Sequence, residues 1–154
     1  MGIPKIGDAA PNFELLTDKG ETVRLSDLQG SKVVLFFYPK ADTPGCIKEA
    51  CGFRDDYSQF VENEFVVLGI SPDTVKAQAD FSGKYGFQYP LLADADHSVA
   101  QAYGVWRSKK LLFFGVEYVA RTTFLIDEAG RISHVYEGVK PVGHSQEIFE
   151  ALTA

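Results

Sequence analysis

Cysteine, histidine and positive charge are all scarce in this chain. Its 154 residues include two cysteines and three histidines, and 15 Lys and Arg face 21 Asp and Glu for a net charge of −6. A structural zinc site needs about four ligands, usually with paired cysteines two to four apart. Here the cysteines are five positions apart, and His97, His134 and His144 are scattered singly, so no metal is expected. Phosphate-backbone binding needs clustered Lys and Arg, which an acidic chain lacks, so nucleic acid is not an expected partner. Long apolar runs are missing too: Val33 to Tyr38 and Leu111 to Val116 are far too short to span a bilayer. The start of the chain has no apolar signal core, and Ile6 stands where a myristoylation signal wants Ser or Thr. The expected location is therefore the cytoplasm, with no membrane partner. Repeats, low-complexity tracts and linkers are absent. Apolar residues make up 45% and charged residues 23%, which argues against disorder and for one globular domain over residues 1–154.

Strand and helix signals alternate along the chain. Asn12 to Leu16 and Glu21 to Leu25 flank the turn signal Asp18-Lys19-Gly20, predicting an N-terminal hairpin. A short helical turn is expected at Ser26-Asp27-Leu28. Lys32 to Tyr38 is apolar almost throughout and predicts a strand buried on both faces, stopped by Pro39. From Gly45 to about Asn63 the apolar period becomes three and four, through Ile47, Ala50, Phe53, Tyr57, Phe60 and Val61, which predicts one long helix. Phe65 to Ile70 reads as a second buried strand. Ser71-Pro72-Asp73 follows as a helix start, with Ser71 the candidate cap. Further strands are expected at Pro90 to Ala93, Thr122 to Ile126 and Ile132 to Tyr136, and helices at Ser98 to Tyr103 and His144 to Leu152. The pattern predicts an α/β fold, a mixed central sheet flanked by helices, with a right-handed βαβ unit around the cysteines.

That unit places Cys46 at the start of the long helix, beyond the C-terminal end of a buried strand, where active sites of open α/β sheets gather. Unpaired N–H groups and the helix dipole favour negative charge there. A free thiol is only about 3% thiolate at neutral pH, and helix N-termini and nearby cations raise that fraction. Cys46 is thus the better nucleophile of the two. Cys51 lies within the helix, where five residues correspond to about 7.5 Å of rise and about 140° of rotation, or about 8.7 Å between Cα atoms. A disulfide needs about 4.4–6.8 Å. Reaction between the two thiols therefore requires the first turns to unwind, and Gly52 lowers helix propensity there. Taken alone, Cys51 could as well be a small core residue, Thr43 a cap or turn residue, and Arg121 an exposed strand-end cation.

The run Phe37-Tyr38-Pro39-Lys40-Ala41-Asp42-Thr43-Pro44-Gly45-Cys46, with Lys48-Glu49-Ala50-Cys51 and Phe53-Arg54-Asp55 after it, resembles the active-site segment of the peroxiredoxins. The P-x-x-x-T-x-x-C pattern is characteristic of that family, and a second cysteine five residues on is similar to its bacterioferritin-comigratory (Q-type) subfamily. Agreement continues through Gly7 to Phe13, Leu68 to Ser71, Tyr103 to Trp106, Arg121 to Asp127, and Gly143-His144. The resemblance implies a thioredoxin-like fold and reduction of hydrogen peroxide and organic hydroperoxides. Cys46 would be the peroxidatic and Cys51 the resolving cysteine. Thioredoxin or a related dithiol protein would supply electrons, with no metal, flavin or haem, and the chain would be a monomer or at most a weak dimer. Thr43 would hydrogen-bond the thiolate and the peroxide, Pro39 would shield the sulfur from water, and Arg121 would bring a guanidinium to Cys46. Fixed donors on both oxygens would stabilise the charge that develops as the O–O bond breaks.

Glu49 reads either as an orienting group or as a solvated carboxylate, Trp106 as lining or core, and His144 as a helix-start residue without a catalytic part. Ile47 stands where the subfamily commonly has Thr. Arg107 to Gly115 is more apolar than the loop usual there, and could cover the site, favour hydrophobic hydroperoxides, form a contact patch, or be a core strand. Two other function classes fit two cysteines. A thiol–disulfide oxidoreductase would normally carry C-x-x-C, which this loop lacks, and a redox-sensing or holdase module would oxidise without fast turnover.

Overall fold

After its first residue, the run Lys32–Phe37 has no polar side chain, so its backbone groups can be satisfied only by strands on either side. The computed structural model describes residues 2–153, with the side chains of Leu111 and Thr153 outside the description. In chain order the elements are β1 (Glu14–Thr17), β2 (Thr22–Arg24), a 3-10 turn (Leu25–Leu28), β3 (Lys32–Phe37), α1 (Pro44–Asp55), α2 (Tyr57–Glu62) and β4 (Phe65–Ser71). There follow α3 (Val75–Tyr85), β5 (Leu91–Ala93), α4 (Ser98–Ala102), β6 (Trp106–Leu111), β7 (Phe114–Val119), β8 (Thr122–Ile126), β9 (Ile132–Tyr136) and α5 (His144–Thr153).

Seven strands form one mixed sheet in the order β2-β1-β5-β4-β3-β8-β9. β3 is parallel to β4 and antiparallel to β8. Alternation along β3 divides the core in two. Val33, Leu35 and Phe37 pack on one face with Val99, Tyr103 and Phe124. Val34, Phe36 and Tyr38 pack on the other with Cys46, Phe53, Phe60, Phe81 and Ile148. The cysteine-bearing helix therefore lies flat on the second face, and its N-terminus opens just past the end of β3. The α/β architecture, the N-terminal hairpin and the crossover around the cysteines agree with the sequence pattern.

Four local expectations are corrected. The helix predicted through Asn63 is two, because Asp56 leaves helical geometry (φ −98°, ψ 7°). Asp competes locally for hydrogen bonds, and here its carboxylate accepts from the Ser145 hydroxyl of α5 at 2.7 Å. Val61, placed on the apolar face by its spacing, is 50% exposed, so Phe60 anchors α2 in the core with half-buried Tyr57 packed beside it. Ser71 ends β4 instead of capping α3. Its hydroxyl donates to Asp73 (2.6 Å) and accepts from Gln78 (2.8 Å), while Thr74 caps α3 by accepting from Ala77 N. Finally, Trp106 to Val119 is an exposed two-stranded hairpin separate from the main sheet. The core-strand alternative for the apolar segment is thereby excluded; the Leu111 side chain itself lies outside the description.

Candidate active site

The loop after β3 turns sharply, with Asp42 at φ +58°. Both flanks are tied to neighbouring elements. Ala41 N donates to Asp73 at 2.8 Å, and the Asp42 carboxylate accepts from Lys84 (3.0 Å) and Tyr85 (3.1 Å) of α3. The Lys84 bond, with a smaller part from Tyr85, lowers the pKa of Asp42's carboxyl below its ordinary value. Thr43 then takes the N-cap position of α1 with Pro44 in the first turn. The first helical bond of α1 runs from Ile47 N to Thr43 O at 2.8 Å. The N–H groups of Gly45 and Cys46 thus precede the ladder, at the end of the helix that favours negative charge.

Cys46 is 1% exposed and its thiol is free. Arg121, just before β8, reaches it: Nη2 lies 3.5 Å from Sγ, and Nη1 donates to Glu49 Oε1 at 2.7 Å. Burial works against the Arg121 charge, but the sulfur and the carboxylate outweigh it and its pKa rises. Glu49 sits one turn after Cys46, and its second carboxylate oxygen is buried with no hydrogen-bond partner among the described residues. Burial pushes the Glu49 carboxyl up to about 7, against the lowering effect of Arg121. The solvated-carboxylate reading of Glu49 is therefore excluded.

Gly45 gives Arg121 its place. A Cβ there would stand 3.0 Å from Arg121 Nη2 and 3.5 Å from Pro141 Cγ. No sequence signal distinguishes this glycine from a turn glycine before a helix. The Thr43 hydroxyl donates to Lys40 O at 2.7 Å. Its one proton is thus not given to the sulfur, and its lone pairs are left to accept. Pro39 is half-buried in the bend that follows β3.

Cys51 lies in the same unbroken helix, half-buried. Burial pushes its thiol up, with Asp55 reinforcing and Arg54 opposing, so at rest Cys51 is a poor nucleophile. Three contacts hold the helix around it: Tyr89 donates to Ala50 O (2.6 Å), Arg54 to Tyr85 O (2.9 Å), and Gln88 to Arg54 O (3.1 Å). Gly52 admits α5, since a Cβ there would meet Ser145 Oγ at 3.1 Å. His144 starts α5, as expected, with its ring between Thr123 (2.7 Å) and Glu147 (2.9 Å). Burial lowers its pKa. Because the carboxylate can only accept, Nδ1 carries the proton and Nε2 accepts from Thr123. Trp106 is away from the sulfur's partners, stacked on His97 at 4.0 Å and donating to Glu117 at 2.8 Å.

Two surface concavities, one lined by Thr17, Asp18, Val23 and Tyr89 and one by Val135, Val139, Gly143 and His144, include neither Cys46 nor Arg121.

The AhpC/TSA family model matches residues 6–135. This chain belongs to that family, the peroxiredoxins. Among curated relatives, the putative peroxiredoxin bcp of Coxiella burnetii is 53% identical over 94% of this chain and 95% of its own. Peroxiredoxin Bcp of Bacillus subtilis is 45% identical over 96% and 94%. A crystal structure of a cysteine-to-serine mutant of PrxQ from Xylella fastidiosa superposes with a TM-score of 0.93 at 34% identity, covering 99% of this chain and 98% of that one. Peroxidoxin BcpB of Mycobacterium tuberculosis gives 0.87 at 42%, covering 97% of each. The bacterioferritin-comigratory branch and the thioredoxin-like fold expected from the resemblance are both supported. Peroxiredoxins are thiol-dependent peroxidases, and the chain is an enzyme of that class.

Proposed function

We propose that the enzyme reduces hydrogen peroxide and small organic hydroperoxides in two thiol steps, Cys46 attacking and Cys51 resolving, with thioredoxin or a similar dithiol protein restoring the thiols. The observation that carries this reading is the Arg121 guanidinium 3.5 Å from the Cys46 sulfur at a helix N-terminus. In the first step the thiolate attacks one peroxide oxygen and the S–O bond forms. The O–O bond breaks, its electron pair goes to the departing oxygen, and that oxygen takes a proton to leave as water or alcohol. The sulfur is now a sulfenic acid. The Gly45 and Cys46 N–H groups and Arg121 would donate to the two oxygens. Thr43, its own proton on Lys40, would accept from the hydroperoxide O–H. Pro39 would close the pocket against water.

In the second step the Cys51 sulfur attacks the sulfenic sulfur, an S–S bond forms and water leaves. A dithiol donor then reduces the bond by exchange and is itself oxidised to a disulfide. No metal, flavin or haem enters either step. The cytoplasm, where thiols are kept reduced, fits a cycle that returns to two free thiols, and the reading needs only a monomer.

Stopped-flow mixing of the reduced protein with hydrogen peroxide and with an organic hydroperoxide tests this. The expected result is rapid thiol loss that the Cys46→Ser protein lacks, and turnover when a thioredoxin system is added. Disulfide reduction without accelerated peroxide loss would make the protein an oxidoreductase instead; oxidation without turnover would make it a sensor.

A further inference from the structure

The β6–β7 hairpin joins the rest of the molecule at its base, where Val105 and Val119 enter the core and Ala120 N donates to Val105 O at 2.8 Å. Beyond that it projects, its strands paired only with each other. At its tip Phe113 is 98%, Leu112 87% and Phe114 61% exposed. Leu112 occupies a turn position at φ +51°, which folding alone would fill with Gly, Asn or Asp. The register pairs Arg107 with Tyr118 and Lys109 with Val116. Paired residues share a face, so one face carries Arg107, Lys109, Phe114, Val116 and Tyr118. Glu117, the one carboxylate of the hairpin, is on the other face and is engaged by the Trp106 indole. Among the described residues no ion pair involves Arg107, Lys109 or Lys110.

We infer that this hairpin docks on the surface of an anionic lipid bilayer. The apolar tip enters the boundary between headgroups and acyl chains; Arg107 and Lys109 on one face, and Lys110 on the other next to the tip, meet the lipid phosphates. Charge and shape select this occupant. Two copies apposed through this face would bring like cations together. The other exposed large apolar side chains, Ile6, Leu16, Val61 and Val142, belong to separate elements and loops. A basic face interleaved with aromatics is what interfacial elements present to anionic lipid. The chain as a whole is at −6, so an anionic surface repels the body and attracts the hairpin, which fixes the orientation. Among the described residues no helix is long and apolar enough to cross a membrane; the attachment is peripheral, and the lack of a spanning segment in the sequence does not bear on it.

Vesicle flotation of the intact protein tests the inference, using phosphatidylcholine alone and phosphatidylcholine mixed with phosphatidylglycerol. The protein is expected to float with the anionic vesicles only, and less as salt is raised. The double variants Phe113→Ser/Phe114→Ser and Lys109→Glu/Lys110→Glu should each weaken that binding at least about tenfold. Both should keep wild-type turnover of hydrogen peroxide in solution, which shows that they are folded. Wild-type protein that stays out of the anionic vesicle fraction overturns the inference, as does binding that survives either double variant. Self-association of the wild type that Phe113→Ser/Phe114→Ser abolishes, without vesicle binding, would make the face a contact between copies.

Discussion

The Arg121 guanidinium bridges to Glu49 at 2.7 Å with one nitrogen and faces the Cys46 sulfur at 3.5 Å with another. One cation thus serves two groups, a thiol and a carboxyl. Through Glu49, itself buried in the core, Arg121 is held beside the Cys46 sulfur. Arg121→Met removes the charge and the fork together. The second-order rate with hydrogen peroxide should fall by about 10²–10³ even on the high-pH plateau, where thiolate formation is complete. A variant that regains the wild-type plateau would restrict Arg121 to favouring the thiolate.

Gly45→Ala separates the position of that guanidinium from its presence. The new methyl would stand 3.0 Å from Arg121 Nη2, closer than such contacts normally come, so the guanidinium must shift by a few tenths of an ångström. Alanine suits a helix better than glycine, so thermal stability should hold or rise slightly. The peroxide step should nonetheless slow by about tenfold, since small misplacements of a positioned group are expensive in rate. Wild-type kinetics in a stable Gly45→Ala protein would argue that Arg121 has slack at this site.

Cys51→Ser should leave the first oxidation intact and stop the cycle there. A dimedone-type probe should label Cys46 after one equivalent of peroxide, and mass spectrometry should find sulfinic acid accumulating faster than in the wild type, because the internal trap is gone. A Cys51→Ser protein that is inert to peroxide and unlabelled would exchange the two roles.

Glu49 and His144 give opposite pH dependences of stability. Burial raises the Glu49 carboxyl from an ordinary 4.5 to about 7, so the folded state binds its proton more tightly than the unfolded chain. Its contribution is present below the lower value, is lost as pH rises through the interval at up to about 1.4 kcal/mol per unit, and is constant above it. Burial lowers the pKa of His144 below its ordinary 6.5, so its contribution is present above that value and is lost as pH falls. Urea melts between about pH 5 and about pH 8 should show the first slope shrink in Glu49→Gln and the second in His144→Gln. An unchanged profile in Glu49→Gln would mean that the carboxylate is ionised throughout, held by Arg121.

Much of this was legible in the chain. Continuous apolar runs located β3 and β4, and a period of three to four located α1 and α5, because each records the surface the element buries. The motif around Cys46 named the loop residues and the partner Arg121 only through resemblance, since a distant strand-end arginine carries no local signal. What escaped depends on contacts between elements. Asp56 breaks the helix by reaching Ser145 from the far end of the chain, and Thr74 replaces Ser71 as cap because Gln78 and Asp73 claim the Ser71 hydroxyl. Tyr89 and Gly45 matter through one hydrogen bond and one missing methyl, neither of which leaves a periodicity. The β6–β7 hairpin was missed because most of its side chains face solvent on both sides, so alternation has no buried face to mark.

Both cysteines lie on one unbroken helix, where five residues separate Cα atoms by about 8.7 Å, beyond the reach of a disulfide at about 4.4–6.8 Å. Closing the bond must open α1 from Gly45 to about Phe53. Within that stretch the strongest tether is the buried bond from the Tyr89 hydroxyl to Ala50 O at 2.6 Å. Beyond it, the discontinuity at Asp56 separates α1 from α2, and Phe60 keeps α2 in the core. Opening should therefore stop near Asp56. Hydrogen exchange on reduced and disulfide-bonded protein should show faster exchange over residues 45–53 after oxidation, with α2 and β3 unchanged. Tyr89→Phe removes the tether, so the disulfide should form several-fold faster after the sulfenic step, at the expense of about 1 kcal/mol of stability. Equal protection of residues 45–53 in the two states, with the disulfide verified, would defeat the unwinding mechanism. An unchanged resolution rate in Tyr89→Phe would show that opening is limited elsewhere in α1.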